Sequence, residues 1–202
     1  MDPNKARARF NEVVKEVTPL EIGAMEEQLI REGMAVEEIQ RLCDLHVAVV
    51  QDSVDSQEEI EASPGHPVHT YRVENDIITS IANRLGQLCS DEGQTLATGT
   101  AWSDQLVALL HEISGIDNHY LRKENELFPV LERHGVTGPS QVMWGVHDEI
   151  RARVKSAKGF MAAGNVEEAR IAGTGLARAV VEMVYKENNI LLPLAQQTLS
   201  HE

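Results

Sequence analysis

The chain has 202 residues and a net charge of −14 with histidine neutral; 42% of residues are hydrophobic and 4% aromatic. That length carries one substantial domain and a smaller one, with a core drawn from Leu, Ile, Val, Ala and Met. The acidic balance argues against nucleic acid as a partner, because such a surface repels a phosphate backbone. No run approaches the roughly 18 apolar residues of a membrane span, and the opening M-D-P-N-K-A-R-A-R-F has no apolar signal segment. Cys43 and Cys89 are too few for a disulfide framework. The expectation is a cytoplasmic protein with reduced thiols and no membrane partner.

Helix signals dominate from the start. Residues 3–16 have the pattern of a short charged amphipathic helix. Thr18-Pro19-Leu20-Glu21 is a capping box with proline in the first turn, opening a helix that stops near Gly33. A third helix is expected over 36–54, with Ile39, Leu42, Cys43, His46 and Val50 at helical spacing. Cys43 and His46 lack a matching second pair and read as packing residues. These elements form a small N-terminal three-helix unit, residues 1–62.

Ser63-Pro64-Gly65-His66-Pro67 marks a boundary. Beyond it four long helices are predicted over 68–88, 102–134, 139–163 and 166–199, with Asn165-Val166-Glu167-Glu168 as an asparagine capping box for the last. Short connections favour antiparallel neighbours, so residues 63–202 predict an all-α, up-down four-helix bundle. Pro129 and Pro193 lie inside the second and fourth helices and predict kinks at matching places.

One arrangement recurs on three of these helices. Residues 69–75 read H-T-Y-R-V-E-N, residues 119–125 read H-Y-L-R-K-E-N, and residues 182–188 read E-M-V-Y-K-E-N. Each has a ligand-type residue, four spacers, then Glu-Asn. Imidazole and carboxylate are donors for iron, manganese and zinc. Bundle proteins build metal sites from such donors on facing helices. Residues five apart on a helix differ by about 140° and rise by about 7.5 Å, so the pair straddles a core-facing seam and suits two neighbouring ions better than one tetrahedral site. The alternative is an ordinary charged helical face, which a threefold repeat disfavours. The third helix adds His147, among Val142, Met143, Trp144, Val146 and Ile150, with Ala152 where the matching glutamate would stand. The expected metal set is His69, Glu74, His119, Glu124, His147, Glu187 and Glu182.

The remaining histidines rank lower. His66 sits at the Gly-Pro boundary, His111 lies about 12 Å along the axis from His119, and His134 suits a helix C-terminus. Tyr71, Tyr120, Tyr185 and Trp144 read as aromatic packing beside the site, with hydrogen-bond donation to it as the sharper alternative.

At H-Y-L-R-K-E-N-E-L-F-P the chain resembles the hemerythrin-like family of HHE cation-binding domains, and the resemblance spans about residues 66–199. The first 60 residues resemble a helical domain of unknown function that often precedes such domains, through P-L-E-I-x-x-M-E-x-x-L-I-x-E-G-M. The family resemblance implies a four-helix bundle with a non-haem di-iron centre, and carries His69, His119, Glu124, His147 and Glu187 to ligand positions. Manganese or zinc is the other expectation for the metal. The chain departs from the family where many members have a helix-4 histidine: here stands Met183 or Glu182. Arg151 stands where oxygen carriers have a second helix-3 histidine. Carboxylate in place of imidazole adds negative charge and stabilises the oxidised metal. The resemblance and this charge together imply a protein that senses, scavenges or reduces dioxygen, peroxide or nitric oxide, with a signalling protein as a further partner. The competing expectation is a helical regulatory module with a structural metal and no catalysis.

Overall fold

In the computed structural model, residues 21, 25, 28–29, 31–35, 38–39, 62–90 and 100–199 are described. Most of the N-terminal unit, with Cys43 and His46, lies outside them. So does its capping box, apart from Glu21. Of its described residues, Ile39 is buried against Val142, with Leu29 and Met34 half-buried beside it.

Four antiparallel rods form the bundle. The first is α1 (Pro67–Cys89). The second is segmented into α2 (Thr100–Ile113), α3 (Ile116–Arg122), a π-helical turn (Lys123–Leu127) and α4 (Phe128–Arg133). The third is α5 (Gly138–Ala162), and the fourth comprises α6 (Val166–Lys186), a second π turn (Glu187–Leu191) and α7 (Leu192–Leu199). The first packs on the second and fourth, and the third on the same two. The all-α bundle expected from periodicity is what the chain forms. None of the described helices is long and apolar enough to cross a membrane.

Local chemistry sets the rod ends. His66 Nδ1 accepts the Val68 N–H at 3.2 Å and Pro67 opens the first turn of α1, so His66 is a helix cap. Gly135 and Gly164, both with positive φ, close the second and third rods. The N–H groups after them reach back to Leu131 and Phe160 carbonyls, the five-residue return of a Schellman motif. His134 Nδ1 lies 2.9 Å from the Val130 carbonyl, the C-terminal role its position predicts. Asn165 makes no side-chain cap; its backbone N–H reaches the Phe160 carbonyl.

The expected proline kinks take the form of π turns. Pro129 and Pro193 each sit six residues after the start of one. Proline cannot donate the usual backbone bond, and one extra residue per turn lets the helix pass it. Asn125 Nδ2 donates to the Leu121 carbonyl at 2.7 Å, and Asn189 Nδ2 to the Tyr185 carbonyl at 2.8 Å. These two matching bonds fix an equivalence of 123–129 with 187–193. The repeated K-E-N strings are therefore not the equivalent positions. In the folded register Lys123 corresponds to Glu187, Glu124 to Asn188, and His119 to Met183.

Burial divides the core along its length. Ile81, Leu85, Leu88, Leu106, Leu110, Val154 and Leu176 fill one half with apolar side chains. The other half, near the N-terminus of α1 and the two π turns, buries Asn75, His119, Lys123, Glu124, His147, Lys186 and Glu187. A polar interior confined to one end of a bundle needs partners for every group in it.

Candidate metal centre

His119, on α3, is the hub. Its Nδ1 lies 2.7 Å from Glu74 Oε2 of α1, and its Nε2 lies 2.9 Å from Glu187 Oε2 of the second π turn. Glu74 also receives the Arg122 guanidinium. Glu187 also receives the Lys123 ammonium, and both side chains of that pair are fully buried. Asn75 Nδ2 donates to Asn188 Oδ1 at 2.8 Å, tying α1 to the same π turn.

A second group adjoins the first. His147 Nδ1 lies 2.7 Å from Glu124 Oε1, and Arg151 grips Glu124 with bonds of 3.0 and 2.9 Å. Since a carboxylate only accepts, His147 Nδ1 carries the proton and Nε2 holds a lone pair. The His147 ring stacks on Tyr120 at 3.9 Å, with Phe128 parallel at 5.9 Å. The Lys123 ammonium stands 4.7 Å above the Tyr120 ring and so joins the two groups.

Electrostatics follow from burial and pairing. Burial pushes His147 down to about 2, and the nearby Lys123 charge adds to the effect, so this imidazole is neutral. Burial opposes ionisation of Glu187, but Lys123 and His119 outweigh it and hold the carboxyl down to about 2. At Glu74 burial is likewise overcome, by the bonds from Arg122 and His119, and its carboxyl sits below the usual range. Burial lowers Lys123, with Glu187, Glu124 and Glu74 pulling the other way.

The expected metal set is thus partly assembled. Glu74, His119 and Glu187 meet; Glu124 and His147 meet; and Lys123 lies between the groups. His69 is half-buried on α1, without a hydrogen bond or ion pair among the described residues. Glu182 is directed away and pairs with Arg178 at 2.7 Å, both side chains being well exposed. Met183, fully buried, is the residue that matches His119. His111 is exposed on α2. Tyr120 does pack beside the site, as expected, whereas Trp144 is 44% exposed. Arg122 and Lys123 were not anticipated by the sequence reading. Lys123 follows His119 by four residues, the helical spacing that puts both on one face, and that was the available signal.

Among the described residues, no three His, Cys, Asp or Glu side chains stand around one point as a ready ligand set. Arg122, Lys123 and Arg151 each already engage one of the carboxylates, Glu74, Glu187 and Glu124 in turn. Among the buried atoms without a hydrogen-bond partner at this end of the core are His147 Nε2, the Tyr120 hydroxyl and Asn75 Oδ1. A neutral imidazole nitrogen, oriented by a carboxylate on its far side, is the arrangement that metal-binding histidines use. The residues fit a cation on that observation, with His147 as one donor and the His119–Glu187 pair beside it. A cleft of about 260 Å³ between α1 and α2–α3 is lined by Ile78, Ile81, Ile113 and Ile116 together with His119, Glu74 and Arg122.

Comparison with protein families finds two matches. Residues 1–56 match a family of unknown function, DUF438. Residues 66–195 match the Hemerythrin HHE cation binding domain. Comparison with curated protein sequences and with solved structures finds no match. The second match covers well over half of the chain and spans all four rods, and it supports binding of a metal cation. The chain belongs to the family of Hemerythrin HHE cation binding domains.

Proposed function

We propose that the bundle holds a redox metal, iron ahead of manganese or zinc, and uses it to sense, scavenge or reduce a small oxidant such as dioxygen, peroxide or nitric oxide. The observation that carries this reading is the buried, unpartnered Nε2 of His147 beside the His119–Glu187 pair. The metal would supply Lewis acidity and, for iron or manganese, electrons. His147 would bind it through Nε2 while Glu124 holds the ring tautomer. His119 and Glu187 would bind or orient it, and His69 and Glu74 would complete the donor set. The Tyr120 hydroxyl, pushed by burial well above its ordinary value, stays protonated and can donate to a small ligand. The cleft that isoleucines line in part would admit a small apolar molecule to His119.

Elemental analysis of anaerobically purified protein tests this, followed by addition of dioxygen, peroxide or nitric oxide. Stoichiometric metal with a change in visible absorption is expected. Protein without metal, even after anaerobic incubation with Fe(II), overturns the reading. A structural ion without redox chemistry is the second reading, favoured by the ion pairs that already engage each carboxylate; chelation would then lower Tm with no response to oxidants. Residues 1–62 are taken as a separate unit that conveys the state of the bundle to a partner protein. Ile39 packs against Val142, on the helix that carries His147.

A further inference from the structure

The most unusual group in the interior is Lys123. Its side chain has no exposure at all, it is paired with a Glu187 that is equally buried, and it lies within the fields of Glu124 and Glu74 as well. A buried ammonium is costly to desolvate and persists only where several acceptors surround it. Its place is not incidental. The two π turns put Lys123 and Glu187 at equivalent positions on the second and fourth rods, facing each other across the core. Where one rod offers a carboxylate to the centre, the other offers a cation.

Charge sets how many ions can join. Glu124 and Glu187 are the fully buried carboxylates, while the more exposed Glu74 is balanced by Arg122. Arg151 offsets Glu124 from its more exposed edge and Lys123 offsets Glu187 inside, so three carboxylates and three cations already balance. A divalent ion added to this set leaves two positive charges over and a second would leave four; without the Lys123 charge those figures fall to one and three.

We propose that the Lys123 ammonium is a resident cation of the centre, filling the place of a second metal ion, so that the chain holds one ion where a dinuclear site would hold two. This rests on the reading that the bundle binds metal, and it departs from the di-iron expectation drawn from the sequence. Removing the ammonium should open that place to a second ion.

The test is metal counting after anaerobic reconstitution of the full chain with Fe(II) and removal of loose ions. Wild type is expected to hold about one iron, and Lys123→Gln about two. The decisive quantity is the gain between them. A gain of about one ion supports the proposal, and no gain overturns it, whatever the wild type holds. A wild type without iron refutes the metal-binding reading separately. The double variant Lys123→Gln/Glu187→Gln removes both charges of the pair, and it should fold but show no gain. Should Lys123→Gln be too unstable for reliable metal counting, the readout becomes the rise in Tm on adding Fe(II). A rise larger than that of wild type supports the proposal, and an equal or smaller rise overturns it.

Discussion

Arg151 carries a structural burden that can be measured without any metal. Its guanidinium makes two bonds to the buried Glu124, one of 2.7 Å to Asp117 and one of 2.8 Å to Asp148. Arg151→Gln leaves Glu124 with only the His147 Nδ1–H. Truncating one partner of a buried ion pair costs about 3–5 kcal/mol, because the remaining charge stays desolvated. Arg151 is itself 27% exposed, and water entering at that edge brings the cost to about 3 kcal/mol. The bonds to Asp117 and Asp148, whose side chains are 50% and 65% exposed, add little. At roughly 2–4 °C per kcal/mol for a domain of this size, Tm should fall by about 10 °C. The assay is thermal melting by far-ultraviolet circular dichroism in a chelating buffer, which removes any stabilisation by a bound ion. Asp148→Asn is the control and should shift Tm by less than about 2 °C. An Arg151→Gln protein that melts with its control would show that Glu124 does not depend on Arg151, and the account of the second group would fail.

Acid should destabilise the metal-free bundle from near neutrality. His147 is held down to about 2 in the fold against 6.5 when unfolded, so the unfolded chain takes up a proton first as pH falls. Between pH 7 and pH 5 this alone removes about 2 kcal/mol, and Glu187 adds further loss as pH falls below its ordinary range toward 2; urea titrations at the two pH values measure it, and equal stabilities would contradict the neutral, buried imidazole. His147→Ala should remove most bound iron in elemental analysis, while Glu182→Ala should leave iron unchanged; the reverse pattern would put the ligands on the wrong face of α6. Gly173→Ala should cost about 1–3 kcal/mol in denaturant melts, since the new Cβ would stand 2.6 Å from the Cys89 sulfur. Cys89→Ala in the same chain should recover part of that loss, and no recovery would mean the clash lies elsewhere.

Sequence alone determined the four rods, their antiparallel order and the burial of His119, Glu124, His147 and Glu187, because apolar spacing and helix punctuation are local and sum along the chain. It also determined that Pro129 and Pro193 disturb the second and fourth rods. The form of that disturbance was not legible. The two π turns align on Pro129 and Pro193, and the fourth rod has one residue more between its K-E-N and its proline, so repeats aligned as text fall out of step by one residue, about 100° around a helix. For that reason Glu182, one member of the third copy, faces Arg178 and solvent, and Lys123 rather than another carboxylate opposes Glu187. Pairing between rods was the other thing only the tertiary structure decided. Arg122, Lys123 and Arg151 look like surface charges in a helical pattern. Each becomes the counter-charge of an inward carboxylate only when α1, α3, α5 and the second π turn are brought together, since desolvation forces every buried charge to find a partner.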